Sequence, residues 1–100
     1  MTNIYDVSIK NDKRDQNEQL RLAIQQRAEQ DFRAVISIVE GRRFIERLIA
    51  DAGVYNSTFT DNALTTAYQE GRRTVGLWIL EQFTAHPDLY VQHLTDKLHD

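Results

Sequence analysis

From residue 20 onward the apolar residues recur at steps of three and four, so the chain reads as a series of amphipathic helices. The first is predicted from about Asp12 to Val35, with Leu20, Ile24, Ala28, Phe32 and Val35 as its buried stripe and a face rich in glutamine, arginine and glutamate opposite. Ser37 followed by Glu40 matches a capping box, in which hydroxyl and carboxylate each satisfy an unpaired backbone donor. A second helix is therefore expected over Ser37 to Ala52, buried along Ile45, Leu48, Ile49 and Ala52, with Gly53 supplying the left-handed residue that closes it. Thr60 or Asp61 suits the cap of a third helix running to about Thr84. Its small residues Ala63, Ala67 and Gly71 lie four apart, and Leu64, Tyr68, Val75, Trp78, Ile79 and Gln82 form an adjacent stripe, so this helix is expected at the centre of the domain. Pro87 fits the first turn of a fourth helix with Leu89, Tyr90, Leu94 and Leu98 as its apolar positions. The predicted fold is all-α, a small bundle of three to four helices.

Two segments break this period. Tyr5, Val7 and Ile9 alternate with Asp6 and Ser8, which predicts an extended N-terminal arm over residues 1–11 ahead of a single helical domain over 12–100; a frayed terminus is the alternative. An extended arm has no second strand in this chain, so its use would be strand addition to a neighbouring subunit. The loop from Val54 to Phe59 carries Val54, Tyr55 and Phe59, and must tuck into the core or meet a partner.

Composition narrows the class. A chain of 100 residues, 41% hydrophobic and 27% charged, has the make-up of one ordinary globular domain, and no apolar run is long enough to span a bilayer. Met1 to Lys10 lacks the basic start and continuous apolar stretch of a secretory signal, and there is no cysteine, so residence in the cytosol or inside an assembly is expected. The net charge of -3 opposes a dedicated nucleic-acid binder. Nine of the twelve cations are arginine, whose planar fork suits carboxylates and aromatic faces as well as phosphates.

One tetrapeptide occurs twice, as Glu40-Gly41-Arg42-Arg43 and Glu70-Gly71-Arg72-Arg73. Aligning the copies places Ile45 over Val75, Leu48 over Trp78 and Ile49 over Ile79. Two copies are too few for a solenoid, so they point to an internal helix pair. A mid-helix glycine costs roughly 1 kcal/mol against alanine, and close packing at Gly41 and Gly71, extended along Ala63 and Ala67, is the compensation expected. Arg42, Arg43, Arg72 and Arg73 then flank that contact as polar anchors, with Tyr55, Phe59 and Trp78 as apolar anchors or as core beneath. Solvated or intramolecular ion pairs are the alternative use of the arginines.

Little here suggests a reaction centre. His86, His93 and His99 with Asp88, Asp96 and Asp100 lack the spacing that turns two imidazoles to one metal. Glu40 and Glu70 invite comparison with the acid of a cell-wall hydrolase, yet cap and ion-pair roles serve them better. The four glycines are dispersed, so no phosphate-cradling loop is present, and no cofactor or small-molecule substrate is expected.

The run Glu40-Gly41-Arg42-Arg43-Phe44, Arg47-Leu48, Ala52-Gly53-Val54-Tyr55, Phe59, Ala63-Leu64, Ala67-Tyr68, Glu70-Gly71-Arg72-Arg73 and Val75-Gly76 resembles the phage Bbp-nineteen family, over about residues 38–80. These are small proteins encoded in the structural-gene modules of tailed bacteriophages. The resemblance implies a non-enzymatic virion or assembly component, made in the host cytoplasm, and carries over no catalytic residue. The partners it implies are portal, capsid or ejection proteins and further copies of the chain. A DNA-contacting or regulatory helical module, with the arginines on packaged DNA, is the alternative.

Overall fold

A computed structural model of the chain describes residues 4–99, with side chains from residue 11 on. It holds four helices, α1 (Ile4–Ile36), α2 (Val39–Asp51), α3 (Ala63–Thr84) and α4 (Pro87–Leu98), and no strand among the described residues. The all-α expectation holds. Residues 1–3 of the expected arm lie outside the described residues, and from Ile4 the backbone is helical where an extended segment is expected. Tyr5 and Ile9 are four apart as well as alternating, so that short pattern fits either period.

Where one domain over 12–100 is expected, the chain divides after Asp31 into two units. In the first, α1 has no net amphipathicity, Leu20, Leu22 and Ile24 are exposed, and Glu18 pairs with Arg21 at 2.5 Å one turn away. The stripe expected to run from Leu20 is therefore not a buried one.

The second unit, Phe32 onward, begins with the last turn of α1. There Ile36 is fully buried and Phe32 packs beside it, while Val35 is exposed. The Ser37 hydroxyl donates to the Arg33 carbonyl at 2.6 Å, closing α1. The capping box is consequently not formed; Ile38 is the N-cap of α2 and offers no side-chain bond. Gly41, Arg42, Ile45 and Ile49 make the buried face of α2, and Leu48 lies outside it. Gly53, at φ 81°, ends the helix as expected, with its N–H on Ala50 O at 2.9 Å and the Val54 N–H on Ile49 O at 3.5 Å. That turn drives Val54 into the core against Ile49.

Asn62, rather than Thr60 or Asp61, caps α3, its Oδ1 accepting from the N–H groups of Leu64 at 2.9 Å and Thr65 at 3.1 Å. Thr60 instead braces the loop, its N–H donating to the Thr66 hydroxyl at 3.0 Å. Pro87 lies in the first turn of α4, as its fixed φ favours. The core joins Ile36, Ile45, Ile49, Val54 and Phe83, with Ile79, Leu80, Leu89 and Tyr90 packed against it. Phe83 meets Tyr90 edge-on at 5.2 Å and the His93 ring at 5.3 Å, so it links α3 to α4.

Candidate interaction surface

Four arginines were expected to line a contact, and the fold treats them differently. Arg42 is only 6% exposed. Its Nη1 donates to the Ile36 carbonyl at 2.9 Å and its Nη2 to Asp96 Oδ2 at 3.0 Å, tying α2 to the end of α1 and to α4. The Asp96 carboxyl, which also accepts from the Gln92 amide at 2.9 Å, is held below its ordinary value by the Gln92 bond and then by Arg42. Arg42 is thus a structural cation and not a surface anchor. Arg43 is exposed and Arg73 half-buried. Arg72 bonds the Asp51 carbonyl and lies over the Tyr68 ring at 5.8 Å.

The glycines divide in the same way. A Cβ on Gly41 would collide with the Val35 carbonyl, so the close packing expected there is present. A Cβ on Gly71 would meet nothing within 4 Å, and Ala63 and Ala67 are exposed, so the close helix packing expected along these three is not formed among the described residues. Gly76 takes the expected role instead: a Cβ there would come within 2.6 Å of Ala52 Cβ and Val54 Cγ2, because α3 crosses the end of α2 at that point. The residue that lets α3 approach lies five positions beyond the glycine of the repeat.

That crossing fixes which way α3 faces. Gly76 and Phe83 turn inward, and the helix turns about 100° per residue, so positions 64, 68, 71, 75 and 78 fall together on a lateral and outer face. Leu64 is 83% exposed, Tyr68 67%, Val75 56% and Trp78 59%, with the bare Gly71 midway. Of the stripe expected as the centre of the domain, Ile79 packs against the core and Gln82 is half-buried, while Leu64, Tyr68, Val75 and Trp78 form an uncovered apolar seam. Its margins are apolar too. Phe59, Ala63 and Ala67 line a shallow groove on one side, and Leu48, Ala52, Val75 and Ile79 line another. Phe59 and Trp78 are therefore surface residues, as is Tyr55, whose hydroxyl reaches Glu46 at 3.4 Å. Burial, and then the Glu46 charge, push the Tyr55 phenol up from its ordinary value.

A further concavity, between α2 and α4, is lined by Glu40, Arg43, Glu46, Arg47, His93 and Lys97. Glu46 is its hub, 3.2 Å from Lys97 Nζ and 3.5 Å from His93 Nε2. Among the described residues no three His, Cys, Asp or Glu side chains are grouped to hold a metal ion. His86 stacks on Phe32 at 6.1 Å and His93 is buried under Phe83, so the histidines serve separate places.

A family model, Bbp19-like phage protein, matches residues 32–94. The chain belongs to the Bbp19-like phage protein family. The match starts at Phe32, where the second unit starts, and takes in the buried Ile36 and His93. No curated protein and no solved structure matches the chain. No described helix of this Bbp19-like protein is long and apolar enough to cross a membrane.

Proposed function

We propose that this phage protein is a non-enzymatic virion or assembly subunit that makes protein contacts in the head, portal or ejection apparatus. The observation that carries the reading is the uncovered seam of Leu64, Tyr68, Val75 and Trp78 on α3. Scattered apolar residues are normal on a surface, but a continuous stripe with two aromatics marks a contact site. Arg72, aligned along Tyr68, and Arg43 are the polar anchors at its border and on α2; Arg42 is spent inside the fold. Losing Arg42 from the surface, in a chain of net charge -3, leaves the DNA-contacting alternative the weaker reading.

Peptide mass spectrometry on purified particles of the encoding phage tests this. The protein is expected at a fixed copy number, and Trp78→Glu is expected to deplete it from particles while its helicity is unchanged. Full incorporation of a folded Trp78→Glu protein would end the assignment of the seam.

A further inference from the structure

The apolar seam of α3 has the spacing of a helix–helix contact. Positions 64, 68, 71, 75 and 78 advance by four, three, four and three, the step of a coiled-coil core, and Gln82 continues it. A helix is thus the element that covers it best. Resting on the reading of this protein as a contact-making subunit, we propose that the occupant is α3 of a second copy, packed antiparallel and centred near residue 73.

Size complementarity within the seam selects that arrangement. With residue 73 at the dyad, Tyr68 lies across from the second copy's Trp78, Gly71 across from its Val75, and Leu64 across from its Gln82. The glycine notch receives a valine, and the two aromatics share a layer. A parallel pair would set Gly71 against Gly71 and Trp78 against Trp78, leaving a hole in one layer and crowding the next, which close-packed interfaces do not tolerate. The notch is open in the protomer, since a Cβ on Gly71 meets nothing within 4 Å.

The area and the need for it agree. A whole aromatic side chain carries about 150–250 Å², and Tyr68, Trp78, Leu64, Val75 and the flanking Phe59 keep 56–83% of their surface free, so the seam can supply most of the roughly 800 Å² per partner that a stable interface takes. The second unit buries five apolar residues, Ile36, Ile49 and Phe83 of them fully, fewer than the large ones it exposes. Domains this small commonly gain stability from oligomerisation. One like-charge meeting occurs near the dyad, Arg72 with its copy, and each Arg72 is already held by its own Asp51 carbonyl and Tyr68 ring. Added salt screens that repulsion, so association is expected to strengthen or hold with ionic strength, opposite to phosphate binding.

Sedimentation equilibrium on the full chain over a micromolar to millimolar series is the test. A dimer is expected, with Trp78→Glu raising its dissociation constant by about 30-fold or more, as for a hot-spot aromatic. Gly71→Leu is expected to weaken association at least about tenfold without lowering the melting temperature of the dilute monomer, because its side chain has free space in its own fold. The chain has no cysteine, so Ala67→Cys and Glu81→Cys proteins can be joined by a short bis-maleimide. Cross-links between the two variants when mixed support the antiparallel pair; cross-links only within each variant alone would overturn it. A wild-type chain that stays monomeric throughout, or a Trp78→Glu protein that dimerises equally well, would also overturn it. Particle incorporation reads the phage-subunit assignment separately, so a monomer that still enters particles would sink the dimer alone.

Discussion

Glu40-Gly41-Arg42-Arg43 and Glu70-Gly71-Arg72-Arg73 share every residue and almost no environment. In the first copy Gly41 lies under the Val35 carbonyl and Arg42 is buried between the Ile36 carbonyl and Asp96. In the second, Gly71 faces open space and Arg72 lies on the surface along Tyr68. Both tetrapeptides are helical, so the difference comes from what crosses them: the turn leaving α1 passes over the first, and a Cβ on the second glycine would meet nothing within 4 Å. Repetition of sequence here marks a shared helical register and not a shared task. The first copy holds the fold together, and the second lies exposed on α3.

Arg42 against Arg72 breaks or upholds this contrast most sharply. Arg42→Ala leaves the buried Ile36 carbonyl without a donor and Asp96 without its cation, a loss of about 3 kcal/mol. Arg72→Ala removes an exposed contact and is expected to stay within about 0.5 kcal/mol. Urea denaturation of dilute protein measures both, and equal losses would erase the distinction. Gly41→Ala comes next: its methyl must displace the Val35 backbone, which is not a flexible side-chain end, at an expected cost of about 1–3 kcal/mol.

Helix number, the Gly53 stop and the Pro87 start were legible because each rests on backbone rules that act within a few residues. The capping box failed for a competing local reason: the Ser37 hydroxyl found the Arg33 carbonyl behind it before any donor ahead. Facing was harder to read, because α3 carries apolar residues on both sides. Its stronger pattern, from Leu64 to Trp78, is the exposed one, and the buried pair Gly76 and Phe83 is too sparse to stand out by period. Ile36, and not its neighbour Val35, is buried for a related reason, since one residue at a helix end decides which side meets the core. Tyr55, Phe59 and Trp78 read in sequence as anchors or as core, and the fold leaves them exposed, because whether an aromatic is buried depends on neighbours far away in the chain.

Gly71→Ala reverses the sign expected at Gly41. With no neighbour to strike, its Cβ only restricts the unfolded chain and favours the helix, so the dilute monomer should gain up to about 1 kcal/mol. Performed in the Trp78→Glu background, the measurement is free of any change in association. A loss of stability at both glycines would mean that the second copy is packed after all.

The smallest expected effect is an acid one, and it also belongs to the first copy alone. The Asp96 carboxyl is held below its ordinary value by the Gln92 amide and by Arg42, so its folded-state proton affinity is lower than in the unfolded chain. The stabilisation is therefore complete above the unfolded carboxyl value of about 4 and is lost as pH falls through the folded value below it. Asp88, lowered by its bond from Arg33, acts in the same window, but both members of that pair are largely exposed. Added salt screens the Arg33–Asp88 attraction more than that of Asp96 with the buried Arg42. At high salt, then, Asp96→Asn should flatten the stability profile below about pH 4 while Arg72→Ala leaves its slope unchanged. An acid slope that follows Arg72 instead of Asp96 would assign the structural cation to the wrong copy of the repeat.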